Sequence, residues 1–132
     1  MNTAQEIYDL AHQRLEEAKI LFENNMCDGA FYLAGYSIEL MLKWKITQLF
    51  GLDSLYSNDQ TKVPNIDGVN KLREVTKTHD LYTLLLFSGL RVKFDNEKAS
   101  NLQLSKAGSL FMSTWKESVR YQPSFYTHFK LL

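Results

Sequence analysis

The sequence predicts an all-α protein, an up-and-down bundle of four to five helices. Three observations carry that reading. Apolar residues recur at steps of three and four along the first long segment. The second long segment is apolar nearly all round, as a helix touched on several sides would be. No run alternates with period two for more than a few residues, so no strand pattern competes. With 132 residues and no internal repeat or linker, the chain reads as one domain spanning 1–132.

The first helix is expected from about Asn2 to Asn25. Ile7, Leu10, Ala11, Leu15, Ala18, Leu21 and Phe22 form its apolar stripe, and Glu6, Asp9, Gln13, Glu16, Glu17 and Glu23 fill the other face. Asn24-Asn25 and Asp28-Gly29 break the pattern, and Asp28 suits the N-cap of the next helix. That second helix runs from Gly29 to about Phe50, and Gly51 ends it. Its small residues Ala30, Ala34, Gly35 and Ser37 permit close approach by a neighbour. Gly35 costs up to about 1 kcal/mol relative to alanine inside a helix, so tight packing or a ligand is expected to offset it.

From 51 to 78 the chain turns polar, a long connection for a compact domain and therefore a candidate functional loop. A short helical piece with Val69, Leu72 and Val75 on one side is expected within it. Thr78 or Asp80 then starts a third helix that stops near Ser88-Gly89. Asp95 opens a fourth, with Leu102, Leu104, Leu110, Phe111 and Trp115 apolar. Arg120-Tyr121-Gln122-Pro123 ends or kinks it, because the residue before proline avoids helical geometry. Residues 124–132 read as a short terminal helix or an extended tail.

Apolar residues make up 45% and charged residues 23%, a globular composition that excludes disordered and collagenous classes. Fifteen basic and fifteen acidic side chains cancel, which argues against a polybasic binder of bulk nucleic acid. The cancellation hides an asymmetry: residues 1–56 carry four basic and eight acidic groups, residues 57–132 eleven and seven. A head-to-tail contact or an anionic ligand near the later helices fits it, as does a plain mixture of solvated charges. A single cysteine, Cys27, forms no internal disulfide and no cysteine-based zinc cluster. No secretory signal opens the chain and no stretch of about 18 uncharged apolar residues spans a membrane, so a cytoplasmic location is expected.

Phosphate loops, nucleophile elbows and metal-binding histidine pairs at helical spacing are absent, and neither a metal nor a cofactor is expected. The chemistry-bearing candidates are few. Tyr32, Tyr36, Glu39 and Lys43 fall on one stripe of the second helix, with Lys43 four residues after Glu39 in the favourable acid–base order. That stripe suits either a polar helix junction or the wall of a ligand groove or dimer contact. Burying Glu39 unpaired costs several kcal/mol, so a partner is expected in every case. His79 lies beside a helix cap, as a cap partner, a surface residue or an acid–base group. Arg120-Tyr121 suits anion binding with stacking, or an ion pair with the acidic N-terminal helices.

Three blocks together resemble the HEPN domain family (higher eukaryotes and prokaryotes nucleotide-binding). They are Ala30-Phe31-Tyr32-Leu33-Ala34-Gly35-Tyr36-Ser37-Ile38-Glu39-Leu40-Met41-Leu42-Lys43, Thr78-His79-Asp80-Leu81-Tyr82-Thr83-Leu84-Leu85, and Trp115-Lys116-Glu117-Ser118-Val119-Arg120-Tyr121. The resemblance implies an HEPN-like helical bundle that forms a homodimer. It implies one of two activities. The first is a metal-independent ribonuclease of toxin–antitoxin and defence systems, acting through an arginine and a histidine four to six residues apart across a dimer cleft. The second is a non-catalytic module that binds RNA, a nucleotide or a partner protein such as a nucleotidyltransferase or an antitoxin. Here Arg120 precedes His128 with seven residues and Pro123 between, while Arg73 and His79 keep the spacing ahead of the third helix. The non-catalytic module is therefore the leading expectation, with Tyr36, Glu39, Lys43, Arg120 and Tyr121 as ligand-binding candidates. The alternatives are a ribonuclease using Arg120 with His128 or His79, and a structural dimerisation subunit.

Overall fold

The computed structural model describes residues 3–116. All regular structure among them is helical: α1 (Ala4–Glu23), α2 (Cys27–Phe50), α3 (Asp67–Thr76), α4 (Leu81–Phe87), α5 (Arg91–Lys98) and α6 (Leu102–Thr114), with a single 3₁₀ turn at Gln60–Lys62. The all-α class is thus as expected, with six helices where four to five were expected.

Thr3 caps α1, its hydroxyl accepting from the Glu6 amide at 3.2 Å. The helix ends in a Schellman arrangement: the Asn25 amide bonds the Phe22 carbonyl, the Met26 amide the Leu21 carbonyl, and Asn25 takes the left-handed φ of 61°. The chain re-enters helix at once. Met26 occupies the N-cap and α2 begins at Cys27, so Asp28 sits in the first turn and does not cap. Gly51 closes α2 at φ 66°, as expected.

Two long helices joined by so tight a turn lie back to back. The Ser37 hydroxyl donates to the Ala11 carbonyl at 2.7 Å across the pair, a reach that small residues at the crossing allow. Ile7, Ala11 and Leu40 pack between them. The other side of α2 supplies Phe31 to a cluster with Leu81, Phe111 and Trp115, and Leu42 and Ile46 to one with Leu55, Leu84 and Leu85. One apolar helix therefore serves every core cluster. Phe22, assigned to the inner stripe of α1, is instead exposed next to the turn.

The 51–78 connection contains the 3₁₀ turn and α3. Val69 and Leu72 of α3 face the core as expected, but Val75 is 46% exposed and Thr76 is fully buried in its stead. The Thr76 hydroxyl donates to the Leu72 carbonyl and accepts from the Tyr56 phenol at 2.9 Å, so its polar group is satisfied. The expected fourth helix is two. Asn101 interrupts it, and its side chain accepts from the Leu104 amide at 3.0 Å as the N-cap of α6. Asp95 lies inside α5 and does not open it. Leu102 is exposed rather than inward. The proline break and terminal segment expected at 120–132 lie outside the described residues.

Gly35 answers its cost directly. A Cβ there would overlap the indole of Trp115, whose Nε1 donates to the Tyr32 carbonyl at 3.2 Å. The compensation is packing.

Candidate functional site

The polar stripe of α2 passes under the segment that joins α3 to α4. Glu39 is 2% exposed among apolar neighbours. One helical turn on, Lys43 returns its ammonium to Glu39 Oε2 at 3.1 Å. The other carboxylate oxygen, Oε1, meets His79 Nδ1 at 2.7 Å, a contact between residues forty apart in sequence. Both Glu39 oxygens are therefore engaged, which is what a buried carboxylate requires.

Local bonds fix the segment that carries His79. The Asp80 amide donates to Thr78 Oγ1 at 3.1 Å, and Asp80 caps α4 by accepting from the Tyr82 amide at 3.2 Å and the Thr83 hydroxyl at 2.6 Å. Behind Lys43 lies Tyr56, its ring centroid 5.8 Å from the ammonium. Burial pushes the Tyr56 phenol up to about 12 against the opposing effect of its bond to Thr76.

An ionised carboxylate only accepts, and here it already accepts from Lys43, so Nδ1 of His79 donates. A neutral ring in that tautomer carries its lone pair on Nε2. The His79 side chain is 53% exposed, and Nε2 makes no hydrogen bond among the described residues. It borders a cleft of about 360 Å³ whose walls are Thr78, His79 and Asp80 on one side and Met112, Ser113, Trp115 and Lys116 on the other. The exposed Lys116 makes no ion pair among the described residues, so the cleft offers a cation, an imidazole and hydroxyls to a ligand, beside the Asp80 carboxylate that caps α4.

Of the expected site residues, the structure brings Glu39, Lys43 and His79 together. Tyr36 lies on the same stripe, but its ring stacks on Tyr32 at 6.3 Å and does not line the cleft. Arg120, Tyr121 and His128 lie outside the described residues. Arg73 lines a separate cleft with Gln60, Thr61, Val63, Asn65 and Asn70. His12 packs tilted against Tyr8, ring centroids 4.5 Å apart, and shares no contact with these groups among the described residues. Thr78, Ser113 and Lys116 are site residues that sequence reasoning did not single out. Thr78 and Lys116 stand inside the second and third blocks of the resemblance, and Ser113 two residues before the third.

A larger, mostly apolar groove of about 440 Å³ lies between α2, α4, α5 and α6, with Leu42, Phe94, Leu104 and Phe111 among its walls and Met112 common to both openings. Among the described residues, no three His, Cys, Asp or Glu side chains are grouped to hold a metal ion, and no helix is long and apolar enough to cross a membrane. Compared with protein-family models, curated proteins and solved structures, the chain finds no match.

Proposed function

We propose that this chain is an HEPN-like module whose work is binding rather than catalysis, and that its ligand is a phosphate-bearing one, an RNA strand or a nucleotide, held in the cleft at His79. One observation carries the reading. A buried carboxylate holds the imidazole at the cleft edge, and the opposite wall carries Lys116, which makes no ion pair among the described residues. The Lys116 ammonium suits phosphate oxygens, and an imidazole held at Nδ1 by a carboxylate donates to them from Nε2 when that nitrogen also carries a proton. The excess of basic groups in residues 57–132 supports the same choice. In this reading the module is an up-and-down helical bundle that works as a homodimer, and Arg120 and Tyr121 extend the anion site. Its protein partners are a nucleotidyltransferase or an antitoxin of a defence system.

The test is fluorescence anisotropy with labelled single-stranded RNA and with labelled ATP. His79→Ala and Lys116→Ala should each weaken binding about tenfold, the scale of one charge-assisted hydrogen bond. Affinity for RNA should fall as salt rises, because phosphate contacts release counterions. Binding that neither substitution changes sinks the proposal.

The Glu39–His79 pair also favours a second reading, a metal-independent ribonuclease in which His79 moves a proton of the RNA 2′-hydroxyl or leaving oxygen. In that reading Arg120 holds the phosphate, with His128 the other candidate base. RNA cleavage in chelator by the wild type and none by His79→Ala would establish it. Cleavage lost only on His128→Ala would move the chemistry away from the Glu39–His79 pair.

A further inference from the structure

The environment of His79 suits more than contact with a ligand. We propose that His79 Nε2 is a phosphoryl-accepting nucleophile, with Glu39 as its positioning residue. The inference rests on the reading of the cleft as a phosphate site and goes one step past it, from holding a phosphoryl group to taking one up.

Three features support this. Nδ1 is bound to a carboxylate that is itself fixed by Lys43, which sets the tautomer and leaves the lone pair on Nε2. The ring is half exposed and borders a cleft large enough for a small phosphorylated donor. Lys116 lines the same cleft and can neutralise the oxygens of the incoming group. A nucleophile, a base that orients it and a cation for the transferred group form the arrangement that covalent transfer needs.

The donor is a compound with a labile phosphorus–nitrogen or acyl phosphorus–oxygen bond. The Nε2 lone pair attacks phosphorus, an Nε2–P bond forms, and the bond to the leaving group breaks with its electron pair. Phosphoramidate reacts in its N-protonated form, so the nitrogen departs with the bonding pair as neutral ammonia. The ring gains positive charge and keeps the Nδ1 proton, which Glu39 holds by its negative charge. The groups facing the ring from the packed elements are Glu39 and Lys43 of α2, Asp80 before α4 and Lys116 after α6.

The probe is phosphoramidate on the full chain, read by intact mass, acid lability and fragment mapping. His12 is the internal reference, because it makes no ion pair among the described residues and rests against Tyr8. One acid-labile phosphoryl group on His79, added faster than on His12, is the expected result, with the rate lowered about tenfold in Glu39→Gln. Equal labelling of His12, His79 and His128 overturns the proposal, as does an unchanged rate in a folded Glu39→Gln. Should that variant fail to fold, the ratio of His79 to His12 labelling in the unaltered chain decides. RNA or nucleotide binding without labelling sinks this inference alone. Labelling without such binding sinks the proposed function alone.

Discussion

The two long helices and the four short ones are built on different terms. Helices α1 and α2 run 20 and 24 residues, close their backbones together through Ser37 and Ala11, and bury a charged pair at Glu39 and Lys43. Helices α3 to α6 run 10, 7, 8 and 13 residues, lengths at which an isolated helix is marginal in water. They are held by what they cover. Helix α5 has no buried residue and no side-chain cap, and Phe94 is its link to the core. The contrast explains the site. The long pair supplies a fixed buried anion, and the connection between two short helices delivers the histidine to it.

The contrast is most sharply tested where the two parts meet. Gly35→Ala should destabilise the protein by about 3 kcal/mol in urea melts, because its Cβ meets the rigid indole of Trp115. On a Trp115→Ala background the same change should cost little, a coupling that a double-mutant cycle measures. Additive costs would mean the indole yields and the junction is soft.

Next in size is the buried pair. Glu39→Ala leaves Lys43 without its counter-ion at 9% exposure, and the expected loss is about 3 kcal/mol. Glu39→Leu with Lys43→Met should recover most of it, since an apolar pair of similar volume suits this interior. A double variant as unstable as the single would place the cost in His79 and its segment.

Tyr56 ties the long pair to α3 and gives an alkaline signature. Its phenol is raised from 10.0 to about 12 in the folded chain, so the folded state binds more protons than the unfolded one across that window. Stability is therefore full below pH 10 and is lost as pH rises toward 12, by up to about 2 kcal/mol from this group. Urea midpoints measured across that range should fall for the wild type and fall less for Tyr56→Phe. Parallel slopes would remove Tyr56 from the account.

The smallest effect belongs to the outer helices. Gly108→Ala brings its Cβ against the end of the Phe94 ring, which can swing aside, so about 1 kcal/mol is expected. A loss as large as that at Gly35 would erase the distinction between the two parts.

Much of the fold was legible because α1 and α2 carry long periodic patterns. The Gly51 stop was legible from local chemistry alone, and the start of α4 as a choice between Thr78 and Asp80, of which Asp80 is the cap. The split between α5 and α6 was not, since Ala99-Ser100-Asn101 interrupts the helix through the Asn101 cap without glycine or proline. Asp28 misled because the Schellman turn at Asn25 started α2 before it. At the site, the need for a partner to Glu39 was legible from its apolar surroundings. Lys43 was legible as one partner from its spacing, but the second was not, because His79 reaches Glu39 across forty residues and no local spacing encodes that meeting. Thr76 escaped notice for a similar reason, being buried by Tyr56 rather than by its own helix pattern.

The indole of Trp115 in its slot beside Gly35 also bears on the order in which the chain acquires its structure. Helices α1 and α2 are neighbours in sequence, and contacts between them close short loops, the quick events of folding. The bond from Trp115 to the Tyr32 carbonyl joins residues 83 apart. Closing a span of that length carries the larger entropic barrier, so the hairpin forms as the early scaffold and the insertion of the indole completes the bundle.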